Sequence, residues 1–452
     1  LIYGRIIFPS SKLATYELSK SFIEQPNFDL HQIYRALEVL AKETDFIQSS
    51  LYENSLKVSK RNTGVLYYDC TNYFFEIEQE DGNKQYGPSK DHKPNPVVQM
   101  GLFMDGDGIP LAFSINKGNM NEQLTLKPLE KKIISDFELS KFIVCTDAGL
   151  ASKENREFNS KDKRAFITTQ SIKKLKQHLK KWALDTEGWR LSGSDEEYDI
   201  SKLDEMIDKA ALEDKGKIRA KVFYKERWIK ENDFEQRLIV TYSIKYRDYQ
   251  RKIRNTQIER AQKVIENNPT KIKKCNANDY KRFIKKTSCT PDGEVADNEI
   301  YSIDQALIYK EEEFDGFYGV CTNLEDDVSE IIKVNHRRWE IEECFRIMKS
   351  EFKARPVFLK NNDRIEAHFI TCFISLIIYR LLEKRLNEEF TCHEIISGLR
   401  DMDFFEVKGE GYVPTYTRND FTDALHAAFD FRTDYEIVTT SVMKKILKDT
   451  KK

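Results

Sequence analysis

Leu30, Ile33, Tyr34 and Leu37, followed by Val39, Leu40 and Phe46, recur at mostly helical spacing, and residues 1–57 read as helical. At residue 64 the pattern changes to short β-rich runs. Gly64-Val65-Leu66-Tyr67-Tyr68-Asp69 predicts a strand that ends on an acid, and Tyr73 to Ile77 a second run. Val97 to Met104 and Ile109 to Ile115 flank Asp105-Gly106-Asp107-Gly108, the pattern of a hairpin. Leu124 to Ile134 has helical spacing. Lys141-Phe142-Ile143-Val144-Cys145-Thr146-Asp147 predicts a buried strand that again ends on an acid, and Ala165 to Thr168 one more. Strands, helix, strand, short helix and strand in that order predict a mixed α/β sheet.

Residues 171–315 are highly charged and weakly periodic, with possible strands at Ala220 to Tyr224 and Arg237 to Ser243, and read as an inserted domain. Order returns with a strand pattern over Gly316 to Thr322. Two strong helices are expected over 327–352 and 363–387, then short helices and a basic tail over 391–452. The longest apolar run, Phe369 to Tyr379, spans eleven residues. A membrane span needs about 20, so this run reads as a buried helix.

Composition narrows the classes further. The chain has 452 residues, and its 73 basic and 75 acidic side chains leave a net charge of −2. A basic field over the whole molecule is excluded, so any nucleic-acid contact must use local charge. Such charge exists: residues 141–184 hold eleven basic and four acidic side chains, and residues 244–286 fourteen against four. The alternative is a solvated basic surface balanced by the acidic stretch 194–214. Eight scattered cysteines without CxxC spacing disfavour a zinc site and fit a reducing compartment.

The residue types that carry chemistry are few. Asp69 and Asp147 both end predicted strands, where functional groups of open α/β sheets gather. For either acid taken alone, a solvated strand-terminal or turn residue is the commoner reading. On an unbroken helix over 335–352, Asn335, Arg338, Glu342, Phe345 and Lys349 fall within about 80° of one another. Ile341, Cys344, Met348 and Phe352 form an adjacent apolar stripe. A carboxylate between two cations beside a core suits a metal near phosphate; an amphipathic helix with i, i+4 ion pairs explains the same pattern. Asp105-Gly106-Asp107-Gly108 lacks the spacing of a calcium loop. His92 and His368 read as structural.

The stretch Asn335 to Lys349 resembles the insertion-sequence DDE transposases whose third acid lies in a Tyr-x2-Arg-x3-Glu-x6-Lys motif. Arg338, Glu342 and Lys349 match its spacing, and Asn335 stands at the tyrosine position. Tyr68-Asp69-Cys70-Thr71, Gly118-Asn119-Met120-Asn121-Glu122, Thr146-Asp147-Ala148-Gly149-Leu150, Arg355-Pro356-Val357 and Arg364-Ile365-Glu366-Ala367-His368-Phe369 resemble the same family.

The resemblance implies an α/β fold: an RNase H-like mixed sheet flanked by helices, interrupted by a large charged insertion domain before the last catalytic helix. It implies catalytic, metal-holding acids at Asp69, Asp147 and Glu342, with two Mg²⁺ ions, or Mn²⁺ as a substitute. Asp69 is expected to bridge both ions. Arg338 and Lys349 are expected to contact DNA phosphate and Trp339 to stack on a flipped base. The expected domains are 1–57 (remnant of an N-terminal helical DNA-binding region), 58–170 and 316–390 (the catalytic core), 171–315 (insertion), and 391–452 (a C-terminal helical region available for dimerisation). The expected partners are double-stranded DNA, as terminal inverted repeats and target, and a second copy of the chain in a synaptic homodimer. No membrane partner is expected, and the expected location is a prokaryotic cytoplasm, on the nucleoid. The chain begins at Leu1. An alternative reading is therefore a silent or N-terminally truncated derivative that binds DNA or poisons dimers.

Overall fold

The computed structural model describes residues 1–231, 234–267, 279–289 and 295–451. In chain order the elements begin with α1 (Ile2–Ile7), α2 (Lys12–Ser19), α3 (Leu30–Lys42), α4 (Thr44–Val58), β1 (Val65–Phe74), β2 (Val97–Asp105), β3 (Pro110–Lys117), α5 (Leu126–Asp136), β4 (Ile143–Thr146), α6 (Lys153–Phe158) and β5 (Ala165–Gln170). There follow α7 (Gln177–Leu184), β6 (Trp189–Arg190), β7 (Glu197–Tyr198), α8 (Leu203–Lys209), α9 (Leu212–Ala220), β8 (Phe223–Glu231), β9 (Phe234–Tyr242), α10 (Ile244–Asn267), β10 (Ile284–Cys289), β11 (Val295–Ile303), α11 (Gln305–Glu312) and β12 (Phe317–Thr322). The last are α12 (Val328–His336), α13 (Trp339–Arg346), α14 (Asn362–Arg385), α15 (Cys392–Asp401), β13 (Phe404–Val407), β14 (Gly411–Pro414), α16 (Asp420–Phe429), β15 (Val438–Thr439) and α17 (Thr440–Asp449).

The chain divides into two compact units: residues 1–165 with 336–452, and residues 166–335. The second unit is wider than the insertion expected over 171–315. It takes in most of β5 and all of β12, because these strands pair with each other and β12 also pairs with β9.

In the first unit the strand order is β3-β2-β1-β4. β1, β2 and β3 form an antiparallel meander, and β4 lies parallel to β1. This is the order of an RNase H-like core. The two β-rich runs expected at 64–69 and 73–77 are one strand, since β1 pairs with β2 continuously from Leu66↔Asp105 to Phe74↔Val97. Alternation gives β1 two different faces. Leu66, Tyr68 and Cys70 pack with Tyr52 and with Leu126, Leu129 and Ile133 of α5. Tyr67, Asp69 and Tyr73 occupy the other face, under α13. There Cys344 Sγ lies 3.8 Å from the sulfur of Met104, which pairs with Tyr67, and the Tyr73 hydroxyl lies 3.8 Å from the Met348 sulfur.

The apolar stripe Ile341, Cys344, Met348 and Phe352 is fully buried. Burial of Ile341, Met348 and Phe352 stabilises the docking of α13 and the turn after it by about 1.5–3 kcal/mol each. The single helix expected over 327–352 is not formed. The chain turns at Arg337 and Arg338, and a π-helical turn over Ile347–Glu351 follows α13. The angular arrangement computed for an unbroken helix therefore fails. Asn335 is buried in the second unit, where its amide donates to the Tyr318 hydroxyl (3.1 Å), and Phe345 is buried too.

The β2–β3 turn is a hairpin, as its residues predict. Asp105 is buried, salt-bridged to Arg61, and accepts the N–H groups of Asp107 and Ile109, so this acid is structural. Gly108 has φ +80°, and a Cβ there would lie 2.2 Å from Glu340 Oε2 and 2.5 Å from an Arg380 guanidinium nitrogen. Only glycine fits both conditions.

α14 is long and apolar enough to cross a membrane, but its apolar window is 78% buried inside the protein. It packs on α1, α3, α4 and β3 as a core helix. His368, on α14, is buried; burial pushes its ring down to about 3, and Nε2 lies 3.2 Å from the Ala354 carbonyl. The C-terminal segment holds helices and also an unexpected three-stranded sheet, β13-β14-β15.

The strands of the second unit run in the order β5-β12-β9-β8-β6-β7, and the unit has its own core around Trp189, Phe223, Leu238, Val240 and Cys321. Part of its basic charge is consumed internally. Arg247 pairs with Asp204, and buried Arg254 pairs with Asp315. Arg251, though exposed, also pairs with Asp315 at 3.4 Å, while Lys245, Lys252, Arg260 and Lys263 are exposed along α10. Residues 268–278 of the basic stretch lie outside the described residues.

Candidate active site

β1 and β4 run parallel with Tyr67 opposite Cys145 as their last registered pair. Asp69 stands two residues further on, within β1 and not at its end as its sequence run predicted, because β1 continues to Phe74; Asp147 stands two residues past Cys145, just after β4, so the two acids lie at about the same level. They sense each other electrostatically, and Arg338 acts on Asp69 as well. Arg338 also faces Cys145, the residue that precedes Asp147 by two. Three of the predicted residues are thus brought together from β1, β4 and the start of α13.

Both aspartates are part-buried and held locally. Asp69 Oδ1 accepts the Cys70 N–H at 2.7 Å. Asp147 Oδ1 accepts the N–H groups of Gly149 and Leu150 at 2.9 and 3.0 Å, which closes a tight turn after β4. Burial pushes the Asp69 carboxyl up to about 6, with Asp147 adding to the rise and with Lys90, the Cys70 N–H and Arg338 opposing it. A carboxylate that ionises reluctantly among nearby cations gains from one more positive charge.

Glu342 is exposed, one turn beyond Arg338 on the same side of α13. Its neighbours are committed elsewhere. Glu340 turns inward to Arg337 (2.8 Å) and Arg380 (3.6 Å), and Glu343 pairs with Arg346 (2.6 Å). Lys349 is largely buried and pairs with Asp91 at 3.8 Å; burial pushes its ammonium down to about 8. Trp339 is 57% exposed, so it is not a core aromatic.

Two residues of the β1–β2 connection were missed from the sequence. Lys90 donates to the Cys70 carbonyl and lies 3.5 Å from Glu122. Although burial works against it, Asp69 and Glu122 hold its ammonium above the ordinary value. Asp91 pairs with Arg355 at 2.8 Å as well as with Lys349. These residues follow no periodic pattern, and only chain folding carries Lys90 beside Cys70 and Asp69.

A family model described as a transposase DDE domain matches residues 72–378, more than half of the chain. The chain belongs to the DDE transposase family. The match includes Asp147, Arg338, Glu342 and Lys349, and it begins three residues after Asp69. No curated protein matches this transposase chain. Among solved structures it is similar to a piggyBac transposase in a synaptic complex with hairpin DNA, at 7% identity. That alignment covers 99% of this chain and 82% of the other, with a TM-score of 0.37.

The donor chemistry of Asp69, Asp147 and Glu342 is carboxylate oxygen, which suits hard divalent cations. Asp69, Asp147 and Glu342 are not gathered as tightly as a closed site requires. Among the described residues, one trio of ligand-type side chains has its ligand atoms all within 4.8 Å, namely Asp423, His426 and Asp434 of α16 and the following loop. Its acids already pair with arginine: Arg418 with Asp423 at 2.7 Å and Arg432 with Asp434 at 2.6 Å.

Proposed function

We propose that this transposase cuts the ends of an insertion element and joins the resulting 3′-OH to target DNA, with Asp69, Asp147 and Glu342 holding two Mg²⁺ ions. The observation that carries the reading is the common level of Asp69 and Asp147 on adjacent parallel strands, beside Arg338 at the start of α13. Asp69 and Asp147, distant in the chain, have little structural reason to stand at one level: Asp105 and Glu340, which are structural, each have an arginine. The reluctance of Asp69 to ionise fits a site completed by cations.

Bound Mg²⁺ supplies charge stabilisation to the attacking and leaving oxygens of an in-line displacement at phosphorus. In the first step water attacks the scissile phosphorus, the P–O3′ bond breaks, and a 3′-OH departs. In the second, that hydroxyl attacks a target phosphorus, loses its proton, and displaces the target's own 3′ oxygen. Arg338 and Lys349 orient phosphates, a positioning task that fixes register without reading sequence. Trp339, exposed beside Arg338, offers a stacking platform for an unpaired base. The exposed basic side chains of α10 give the second unit local charge for duplex DNA. A synaptic homodimer holds two ends at once, on the nucleoid of a prokaryotic cell.

Glu342→Gln tests the reading. End cleavage in Mg²⁺ should fall by on the order of 10²–10³-fold, the scale expected when one electrostatic stabiliser is removed. Undiminished cleavage would remove Glu342 from the mechanism.

A further inference from the structure

Lys90 is the residue that the expected machinery leaves out. Its ammonium bonds the carbonyl of Cys70, directly after Asp69, and lies 3.5 Å from Glu122 at the start of the turn before α5. Asp69 and Asp147 are both among its electrostatic partners. The next residue, Asp91, is anchored by Arg355 and Lys349, so the connection that presents Lys90 is fastened from the far side. Yet 43% of the Lys90 side chain is exposed. A flexible four-carbon stem at that exposure can swing into solvent without opening the core.

Two carboxylates at one level on adjacent strands repel each other while no cation lies between them. A neighbouring ammonium relieves that repulsion. The same ammonium opposes an arriving divalent cation, since like charges near one site disfavour each other. We propose that Lys90 is a built-in counter-charge: it holds Asp69 and Asp147 in place in the metal-free protein and gives way when divalent cations bind. It is a positioning residue, acting through the two acids. This inference rests on the metal-holding role proposed above for Asp69 and Asp147.

The test uses the full chain without DNA. Mn²⁺ binding is followed by calorimetry and folding by thermal melting, in wild type, Lys90→Met, Lys90→Arg and Asp69→Asn. Lys90→Met should melt lower without metal, yet bind Mn²⁺ more tightly by on the order of tenfold, the usual scale of coupling between two sites. Lys90→Arg retains the charge and should return both readouts to wild-type values. A merely structural lysine would lower the melting temperature and leave Mn²⁺ affinity unchanged, which overturns the proposal. Unchanged Mn²⁺ affinity with weakened DNA binding also overturns it and makes Lys90 a phosphate contact. If Asp69→Asn itself leaves Mn²⁺ binding intact, the metal role of Asp69 and Asp147 falls. That failure differs from Mn²⁺ binding that needs Asp69 and ignores Lys90.

Discussion

Two acidic groups in the first unit make an informative contrast. Asp423 and Asp434 lie close together with His426, and surface arginines satisfy both acids. Asp69 lies within β1 and Asp147 just after β4, with Lys90 acting on both and Arg338 on Asp69. The tighter cluster is the better compensated one. Asp434 is held below the ordinary carboxylate range by its hydrogen bonds to Arg432, while burial holds Asp69 above it. Proximity of acids by itself therefore says little about function. The informative sign is a carboxylate whose setting works against its charge.

The largest expected difference is catalytic. Asp69→Asn should lower end cleavage by on the order of 10²–10³-fold, whereas Asp423→Asn should leave the rate near wild type. Equal losses in a cleavage assay would erase the contrast.

The next effect is in stability, and its sign differs between the two groups. The folded-state value of Asp69, about 6, exceeds the unfolded value of 3.8, so the native metal-free protein binds more protons between these limits. Its stability should fall as pH rises from about 4 to about 6, by up to about 3 kcal/mol. Asp69→Asn should flatten that slope in urea titrations without metal. A slope identical to wild type would show that burial of this carboxyl has no such effect.

The smallest effect belongs to Asp434. Its depressed value means that its stabilisation is present above pH 3.8 and is lost as pH falls through the lower folded value. Asp434→Asn should cost no more than about 1 kcal/mol at neutral pH, the range of surface ion pairs, and should vanish as a difference in acid. A larger loss in denaturant unfolding would mean that the trio carries more than a surface contact.

Much of the site was legible because strands announce themselves locally. Asp69 and Asp147 each close a run of apolar residues, and the stripe Ile341, Cys344, Met348 and Phe352 marked the buried side of the third element. The helix-face geometry was not legible. Arg337 and Arg338 are good helix formers, so nothing local announced the turn that they make, and the π-helical turn after α13 shifts Lys349 off a simple 100° count. β12 misled for a related reason: its pattern shows a strand but not a partner, and it pairs with β9 and β5 of the second unit.

The amino-acid order alone determined the mixed α/β class, the acid that follows β4 and the spacing of Arg338, Glu342 and Lys349, because periodicity and residue chemistry act over a few neighbours. Tertiary structure alone decided that Asp69 and Asp147 share one level, that Glu343 is spent on Arg346, and that Lys90 arrives beside the acids. Strand register and loop docking depend on burial summed over distant segments, and no local pattern encodes such a sum.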